Sequence, residues 1–406
     1  MERVIFHCDC NSFYASVELL HHPELRGVPT AVCGDPGHRH GIILAKNEAA
    51  KKYGIQTAET VYSAMKKCPG LHLLPPHHEE YRVFSQRINA IYAAYTDRVE
   101  PFGIDESWLD MTGTWHLFGP SPAAVADAIR ARVKAETGLT LSVGVSFNKV
   151  FAKLGSDYKK PDATTVIGPA DFQEIVWPLP VGALLYVGGS VRRTLAGLGI
   201  GTIGQLAAAD PEGLRLALGK LGTELSRYAR GQDDAPVRRA GERPEVKSVG
   251  NGMTFKRDLV GPADVRAGVV ALADEVAARL RGHGLYAGAV QITIKDTNLK
   301  AITRQKQLEA PTHLAKVLAE ACEQLVAANW PAKKPIRMLT VTALSLTDGA
   351  ARQLSLFDEA RREDPKREQL EKSLDAIRKK YGRRAIGAGS VVKNDIGLEE
   401  LETEEK

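Results

Sequence analysis

The sequence predicts an α+β protein built from several domains. Three observations predict it. The chain has 406 residues, more than one hydrophobic core organises at about 100–200 residues per domain. Short apolar runs alternate with segments of helical period, and neither pattern takes over the chain. The texture also changes twice, to short helices and Gly-rich turns after Pro178 and to a polar, Pro-containing stretch at 232–247.

The elements follow in order. Arg3 to Cys8 is a short apolar run that ends at Asp9 and reads as a buried strand. Asn11 to Leu20 places Phe13, Val17 and Leu20 on one helical face. PTAVC (29–33) and GIILA (41–45) read as strands, and Lys46 to Tyr53 as a helix closed by Gly54. Residues 79–98 form a long helix carrying Val83, Ile88, Ile91, Tyr92 and Tyr95. VEPFGIDESWLDM (99–111) reads as two strands about a tight turn at Asp105-Glu106. Ser121-Pro122 is an N-cap followed by Pro at the first helical position, and that helix ends at Gly138. LTLSVGVSF (139–147) is the next strand, so this part is a sheet with helices on one face. After the linker the spacing predicts a helix at 262–281, a strand at 286–295, a helix at 311–328 and a strand at 336–346. A charged amphipathic helix follows, with Leu370, Leu374, Ile377 and Tyr381 at helical spacing and Gly382 as its stop.

Composition narrows the function. Charged residues are 25% and hydrophobic ones 44%, the ordinary proportions of a folded soluble domain. No apolar run reaches the 18 or so residues of a membrane helix, and MERVIFHCDC does not read as a signal peptide. Five cysteines in odd number, with no CxxC pair, point to a reducing cytoplasm. The net charge is +5, but residues 236–348 hold 17 Lys/Arg against 11 Asp/Glu while the rest is close to balance. That asymmetry fits a polyanion partner or, equally, a solvated face.

Chemistry concentrates in three acids. Asp9 ends the first strand, and Asp105 and Glu106 sit at a hairpin tip. In a compact sheet those ends converge, and like charges repel unless a divalent cation neutralises them. Mg²⁺ takes one or two carboxylates plus phosphate oxygens, and two such ions clamp an in-line phosphoryl displacement. An Asp-Glu turn taken alone is ordinarily solvated, so the residues by themselves leave both readings open. Cys8 and Cys10 fall on one face of the strand with no third and fourth ligand, which argues against zinc.

DCNSFYASVE (9–18), GIDE followed by SWLDMTG (103–113) and SVGVSFNKVFAKLGSDYKKPD (142–162) closely resemble, in order and spacing, the Y-family lesion-bypass DNA polymerases. The branch they resemble most is the bacterial DNA polymerase IV (DinB) type, over residues 1 to about 348. The resemblance implies a right-hand architecture: a palm at 1–10 and 79–168, fingers at 11–78, a small helical thumb at 169–235, a linker at 236–247 and a C-terminal α+β little finger at 248–348. Residues 349–406 would be a tail. It implies catalytic acids at Asp9, Asp105 and Glu106, two Mg²⁺ held by them and by the Cys10 carbonyl, and Tyr14 as the ring that excludes a 2′-hydroxyl. Triphosphate contacts would come from Lys51 and Lys160. Lys51 stands where relatives carry Arg, and Glu48 where they carry Tyr.

LLYVGGSVRRTLAGLGIGTIGQL (184–206) resembles a helix-hairpin-helix that turns backbone N–H groups toward DNA phosphates, with Gly188 kept and Tyr186 in place of a usual Gly. The little finger would grip the duplex through residues such as Lys247, Lys256, Arg257, Lys295 and Arg304, with Arg238, Arg239, Lys300 and Lys306 also in reach of that role. Gln353-Leu354-Ser355-Leu356-Phe357 resembles the bacterial sliding-clamp pentapeptide. The implied activity is template-directed DNA synthesis past lesions, of low fidelity and without proofreading. Its partners would be primer-template DNA, dNTP and the β clamp, acting on a monomer in the cytoplasm. Alternatives are a DNA- and clamp-binding accessory of the same fold without activity, or another palm enzyme such as a nucleotide cyclase. Retention of all three acids argues against the first, and the basic domain and clamp peptide against the second.

Overall fold

Six successive buried residues, Ile5–Cys10 (β1), have no solvent face and so belong at the centre of a sheet. The computed structural model describes residues 2–34, 41–242, 244–348, 365–382, 385–387, 389 and 394–398. These fall into two units, which part at residue 243.

In the first unit β1 is followed by α1 (Phe13–His21), β2 (Thr30–Cys33), β3 (Ile43–Lys46), α2 (Glu48–Lys51), α3 (Val61–Lys67), β4 (His72–Leu74), α4 (His78–Ala93), β5 (Val99–Pro101) and β6 (Glu106–Asp110). Then come α5 (Pro122–Thr137), β7 (Leu141–Ser146), α6 (Lys149–Tyr158) and β8 (Thr164–Ile167). The main sheet has the order β5-β6-β1-β7-β8, with β1 antiparallel to both neighbours. A second sheet, β3-β2-β4, carries α2 and α3 over a small core of Ala31, Ile43, Ala50, Ile55 and Ala64. Ser121 caps α5 by accepting from the Ala124 N–H, and Gly138 ends it at φ 75°, as Ser-Pro and Gly at those positions predict.

Helices lie on both faces of the main sheet, where the sequence reading placed them on one. Tyr81, Ile88 and Ile91 of α4 and Val125, Ile129 and Val133 of α5 pack against Phe6, Cys8, Leu109 and Val143. α6 lies on the opposite face, against β1 and β7. Gly144 makes this possible. A Cβ there would stand 1.9 Å from the Ala152 carbonyl oxygen and 2.5 Å from the Ser156 nitrogen. The helix backbone therefore rests directly on the strand.

Five short helices complete this unit: α7 (Phe172–Val176), α8 (Gly189–Gly197), α9 (Ile203–Ala208), α10 (Pro211–Leu218) and α11 (Lys220–Ala229). Leu195, Ile203, Leu206, Leu214 and Leu225 share a core with Phe151 and Leu154 of α6.

The second unit holds β9 (Val249–Leu259), α12 (Gly261–His283), β10 (Tyr286–Lys295), β11 (Ala301–Thr312), α13 (Ala315–Asn329), β12 (Ile336–Thr347) and α14 (Pro365–Tyr381). Its sheet runs β11-β10-β12-β9, with α12 and α13 packed on one face over Phe255, Leu272, Val276, Ile292, Leu318 and Leu339. Two strands were not predicted, and the helix placed at 311–328 begins at Ala315 instead. β11 is an edge strand with mostly exposed side chains and so lacks a buried alternation, and β9 contains Gly250 and Gly252.

The segment after 364 folds back on this unit. Arg281 of α12 is only 5% exposed and pairs with Glu371 and with Asp375 (2.6 Å) of α14. Arg378 reaches Asp274 at 2.8 Å. Further on, Ile396 and Leu398 are buried in the core, and the Lys256 N–H donates to the Ile396 carbonyl at 3.0 Å.

Candidate active site

The antiparallel register of β1 and β6 sets Asp9 directly opposite Glu106. The Cys10 N–H donates to the Asp105 carbonyl at 3.0 Å, which closes the hairpin tip onto the end of β1. Asp9, Asp105 and Glu106 thus lie at one end of the β1/β6 pair. Strand alternation sends His7 and Asp9 to the α6 face, and Cys8 and Cys10 to the α4/α5 core. Both thiols are buried, and burial pushes both well above the ordinary thiol range. Only the main chain of Cys10 is left to face the acids.

Two lysines offset part of the charge in the cluster. Lys153 Nζ lies 2.9 Å from Asp9 Oδ2 and 2.6 Å from Glu106 Oε2. Lys160 Nζ lies 2.8 Å from the same Asp9 oxygen and 2.7 Å from Asp157. Burial, then the Asp9 and Glu106 charges, lift Asp105 to about 6. Glu106 moves the other way, to about 2: its burial alone would raise it, but the adjacent His7 and Lys153 side chains and the Lys153 charge outweigh that. His7 is fully buried, and burial lowers it. Its Nδ1 lies 2.8 Å from the Ser156 hydroxyl, while Nε2 has no hydrogen-bond partner and lies 3.4 Å from Glu106 Oε2.

The donor set fits a hard divalent ion. His7, Asp9 and Glu106 offer ligand atoms within 4.8 Å of one another, and Asp105 adds a neighbouring carboxylate, raised first by its burial and then by the Asp9 and Glu106 charges. Carboxylate oxygens in this number suit Mg²⁺.

Tyr14 projects from the first turn of α1 beside this cluster, close enough that the Asp105 charge, after burial, raises its phenol pKa. Its ring stacks on Tyr81 with centroids 3.9 Å apart and a 15° interplanar angle. Tyr81 in turn donates to the buried Glu18 and accepts from the His77 N–H at 3.0 Å. Phe13 lies in the core, as the helical spacing predicts. Lys51 is paired with Glu48 at 2.5 Å, and the Ser12 hydroxyl donates to the same Glu48 oxygen at 3.2 Å.

Residues 8–157 match the model of the impB/mucB/samB family, and residues 246–356 match that family's C-terminal domain. The chain is 46% identical over 403 residues to the DNA polymerase IV of Acetivibrio thermocellus, covering 99% of this chain and 100% of that protein. It is 38% identical to DNA polymerase IV 1 of Bacillus subtilis, covering 97% and 94%. A solved Y-family DNA polymerase chimera superposes with a TM-score of 0.72 at 22% identity, over 84% of this chain and 98% of the other. The chain belongs to the Y-family DNA polymerases, in the DNA polymerase IV branch.

These are DNA-directed DNA polymerases, and the mixed α+β architecture is theirs. In Y-family terms the main sheet with α4, α5 and α6 is the palm. Lys153 was missed by sequence reasoning, although it lies inside the quoted motif FNKVFAK. A lysine on an amphipathic helix reads as solvated until the seat of that helix on Gly144 is known. In the thumb, Gly188 is the N-cap of α8. Tyr186 has φ +69°, the left-handed conformation that a glycine takes without cost.

In the second unit the face of the sheet away from the helices carries Gln291, Thr293, Lys295, Thr303, Gln305, Thr340 and Thr342. Lys256 and Lys247 are exposed. Arg304 lies on the helix side of β11, where it donates to Asn329 at 3.1 Å. Arg257 is held by Asp264 at 2.5 Å and Asp395 at 2.6 Å, so its guanidinium is engaged within the unit. Lys306 donates to Gln324 at 2.7 Å. Gln353, Leu354, Leu356 and Phe357 lie outside the described residues.

Proposed function

We propose that this chain extends a DNA primer past damaged template positions, by nucleotidyl transfer from dNTP to the primer 3′-OH at Asp9, Asp105 and Glu106. The observation that carries the reading is Asp9 set opposite Glu106 in the β1/β6 register, with Asp105 next to them at the hairpin tip, within a chain of the DNA polymerase IV branch. Two Mg²⁺ ions, held by Asp9, Asp105, Glu106 and the Cys10 carbonyl, would supply charge stabilisation on the transferring phosphoryl group. The chain's own residues do the rest. The carboxylates orient the reacting ends. Tyr14, braced by Tyr81, occupies the space a ribose 2′-hydroxyl needs. Lys51 and Lys160 bring positive charge toward the triphosphate, as point charges rather than forks.

Low fidelity and absence of proofreading belong to the same reading. So does DNA contact through Gly188, Lys247, Lys256, Lys295 and Arg304, with Arg257 the least available of the predicted group. Attachment to the β clamp through Gln353, Leu354, Leu356 and Phe357, action as a monomer and residence in the cytoplasm complete it. The alternative of an inactive accessory gains nothing from a site that keeps every acid. Primer extension on intact and lesion-bearing templates tests the proposal. Asp105→Ala and Glu106→Ala should each abolish Mg²⁺-dependent extension, and extension by either at the wild-type rate would sink the site assignment.

A further inference from the structure

In the palm, Lys153 stands where two carboxylates need a cation. Its ammonium touches Asp9 Oδ2 and Glu106 Oε2 together, at 2.9 and 2.6 Å, and its side chain is 17% exposed. The position is built into the fold. α6 rests on Gly144 with no room for a Cβ, and Gly155 of α6 faces it in a tight contact, a Cβ there standing 3.1 Å from the Gly144 Cα. A helix so seated delivers Lys153 to one place.

His7 does not bridge the two acids. The Ser156 hydroxyl donates to the Lys153 carbonyl at 2.7 Å. Its one proton is thereby committed, so at the 2.8 Å contact with His7 it accepts from Nδ1–H. His7 Nε2 lies 3.4 Å from Glu106 Oε2, farther than the Lys153 ammonium, and has no hydrogen-bond partner. Lys160 reaches Asp9 and Asp157 instead. Among these neighbours Lys153 alone bridges the β1 acid and the β6 acid.

We infer that Lys153 is a positioning residue, the internal counter-cation of the metal-free palm, which holds Asp9 and Glu106 convergent and yields their shared oxygens to a divalent ion. The inference rests on the proposed metal-binding role of these acids. An ammonium and a divalent ion compete for Asp9 Oδ2 and Glu106 Oε2, so Lys153 sets the divalent affinity as well as the metal-free geometry. A lysine that only packs its stem against the strand would do neither.

The test uses the full chain with dideoxy-terminated primer-template, matching dNTP and Mn²⁺ as the probe, read by the resonance of free Mn²⁺. Lys153→Met keeps the stem and removes the charge. It should bind Mn²⁺ roughly tenfold more tightly than wild type, the scale of removing one partly buried positive charge at contact distance. It should also melt lower than wild type in EDTA, with the gap closing in saturating Mn²⁺. Lys153→Arg should restore both readouts toward wild type. Wild-type Mn²⁺ affinity in a folded Lys153→Met chain overturns the inference, as does a melting deficit that persists unchanged in saturating Mn²⁺. Should Lys153→Met fail to fold, ¹³C-labelled lysine in the wild-type chain decides the matter. The Lys153 ε-carbon signal, identified by its loss in Lys153→Arg, must shift on adding Ca²⁺, and a static signal overturns the inference. The metal reading fails separately, if wild type shows no saturable Mn²⁺ binding that Asp9→Asn weakens.

Discussion

Gly144→Ala tests whether the palm depends on direct contact between a helix and a strand. The added methyl would sit 1.9 Å from the Ala152 carbonyl oxygen and 2.5 Å from the Ser156 nitrogen, both backbone atoms of α6 that no rotamer change can move. A tolerable carbon–oxygen separation is about 3.3 Å, so the helix must withdraw by about 1.4 Å. Withdrawal opens the packing of Ala152 against Ile5, Trp108 and Val237. It also stretches the Lys153–Asp9 contact from 2.9 Å beyond hydrogen-bond range. Overpacking alone costs about 1–3 kcal/mol. With the loosened core and the bridging ammonium lost from buried acids, a total of about 3–5 kcal/mol is expected, a large part of the usual 5–15 kcal/mol. The assay is hydrogen exchange of the α6 and β1 amides in the intact chain, alongside a urea melt. Protection in these elements should fall by about that free energy, while β10 and β12 of the second unit keep theirs. A loss below about 1 kcal/mol would refute the claim that α6 rests on Gly144.

Four further outcomes follow from other parts of the chain. Asp105 is raised from 3.8 to about 6, so the folded, metal-free chain holds that proton more tightly than the unfolded chain does. This stabilisation is complete below pH 3.8 and lost as pH rises through about 6, worth about 1–2 kcal/mol after solvent screening; Asp105→Asn should flatten that slope in EDTA melts, and an unaltered slope would reject the assignment. Tyr14→Ala should admit ribonucleotides in single-nucleotide primer extension while dNTP use continues, and equal discrimination by both enzymes would reject the steric role. Leu356→Ala with Phe357→Ala should abolish clamp-stimulated synthesis and spare unstimulated synthesis. Truncation after Asp348 is a poorer probe, because it should also unfold the second unit: it strips Ile396 and Leu398 from the core, at about 1.5–3 kcal/mol each, and removes the Glu371 and Asp375 pairs of Arg281. Unchanged melting of the truncated chain would show that the tail does not support that unit.

The acids were readable as candidates only through the motifs around them, because an Asp-Glu turn taken alone is ordinarily solvated and residue type leaves both readings open. Lys153 was not, because its partners lie 144 and 47 residues away and only the glycine contact under α6 aims it at them. The capped ends of α5 were legible from Ser121, Pro122 and Gly138, whose roles are local. β11 was not, because an exposed edge strand such as AITRQKQLEAPT buries too little to imprint a period of two. At Tyr186 the replacement of a glycine was visible in the sequence, but the left-handed backbone it must adopt was not.

The backward fold of the C-terminal segment has a consequence for how the protein is made. β12 ends at Thr347, yet the core beneath β9 is closed by Ile396 and Leu398. At translation rates of about 5–20 residues per second, some 50 residues separate these events, or about 3–10 s. During that interval the palm acids are already synthesised while the second unit waits with apolar core surface uncovered and Arg281 without Glu371 and Asp375. A ribosome that stalls or shifts frame between 348 and 396 releases a chain with a complete acid cluster and an open second core. Such a product is a natural substrate for chaperones and proteases, so the last stretch of chain acts as a check that translation was carried through.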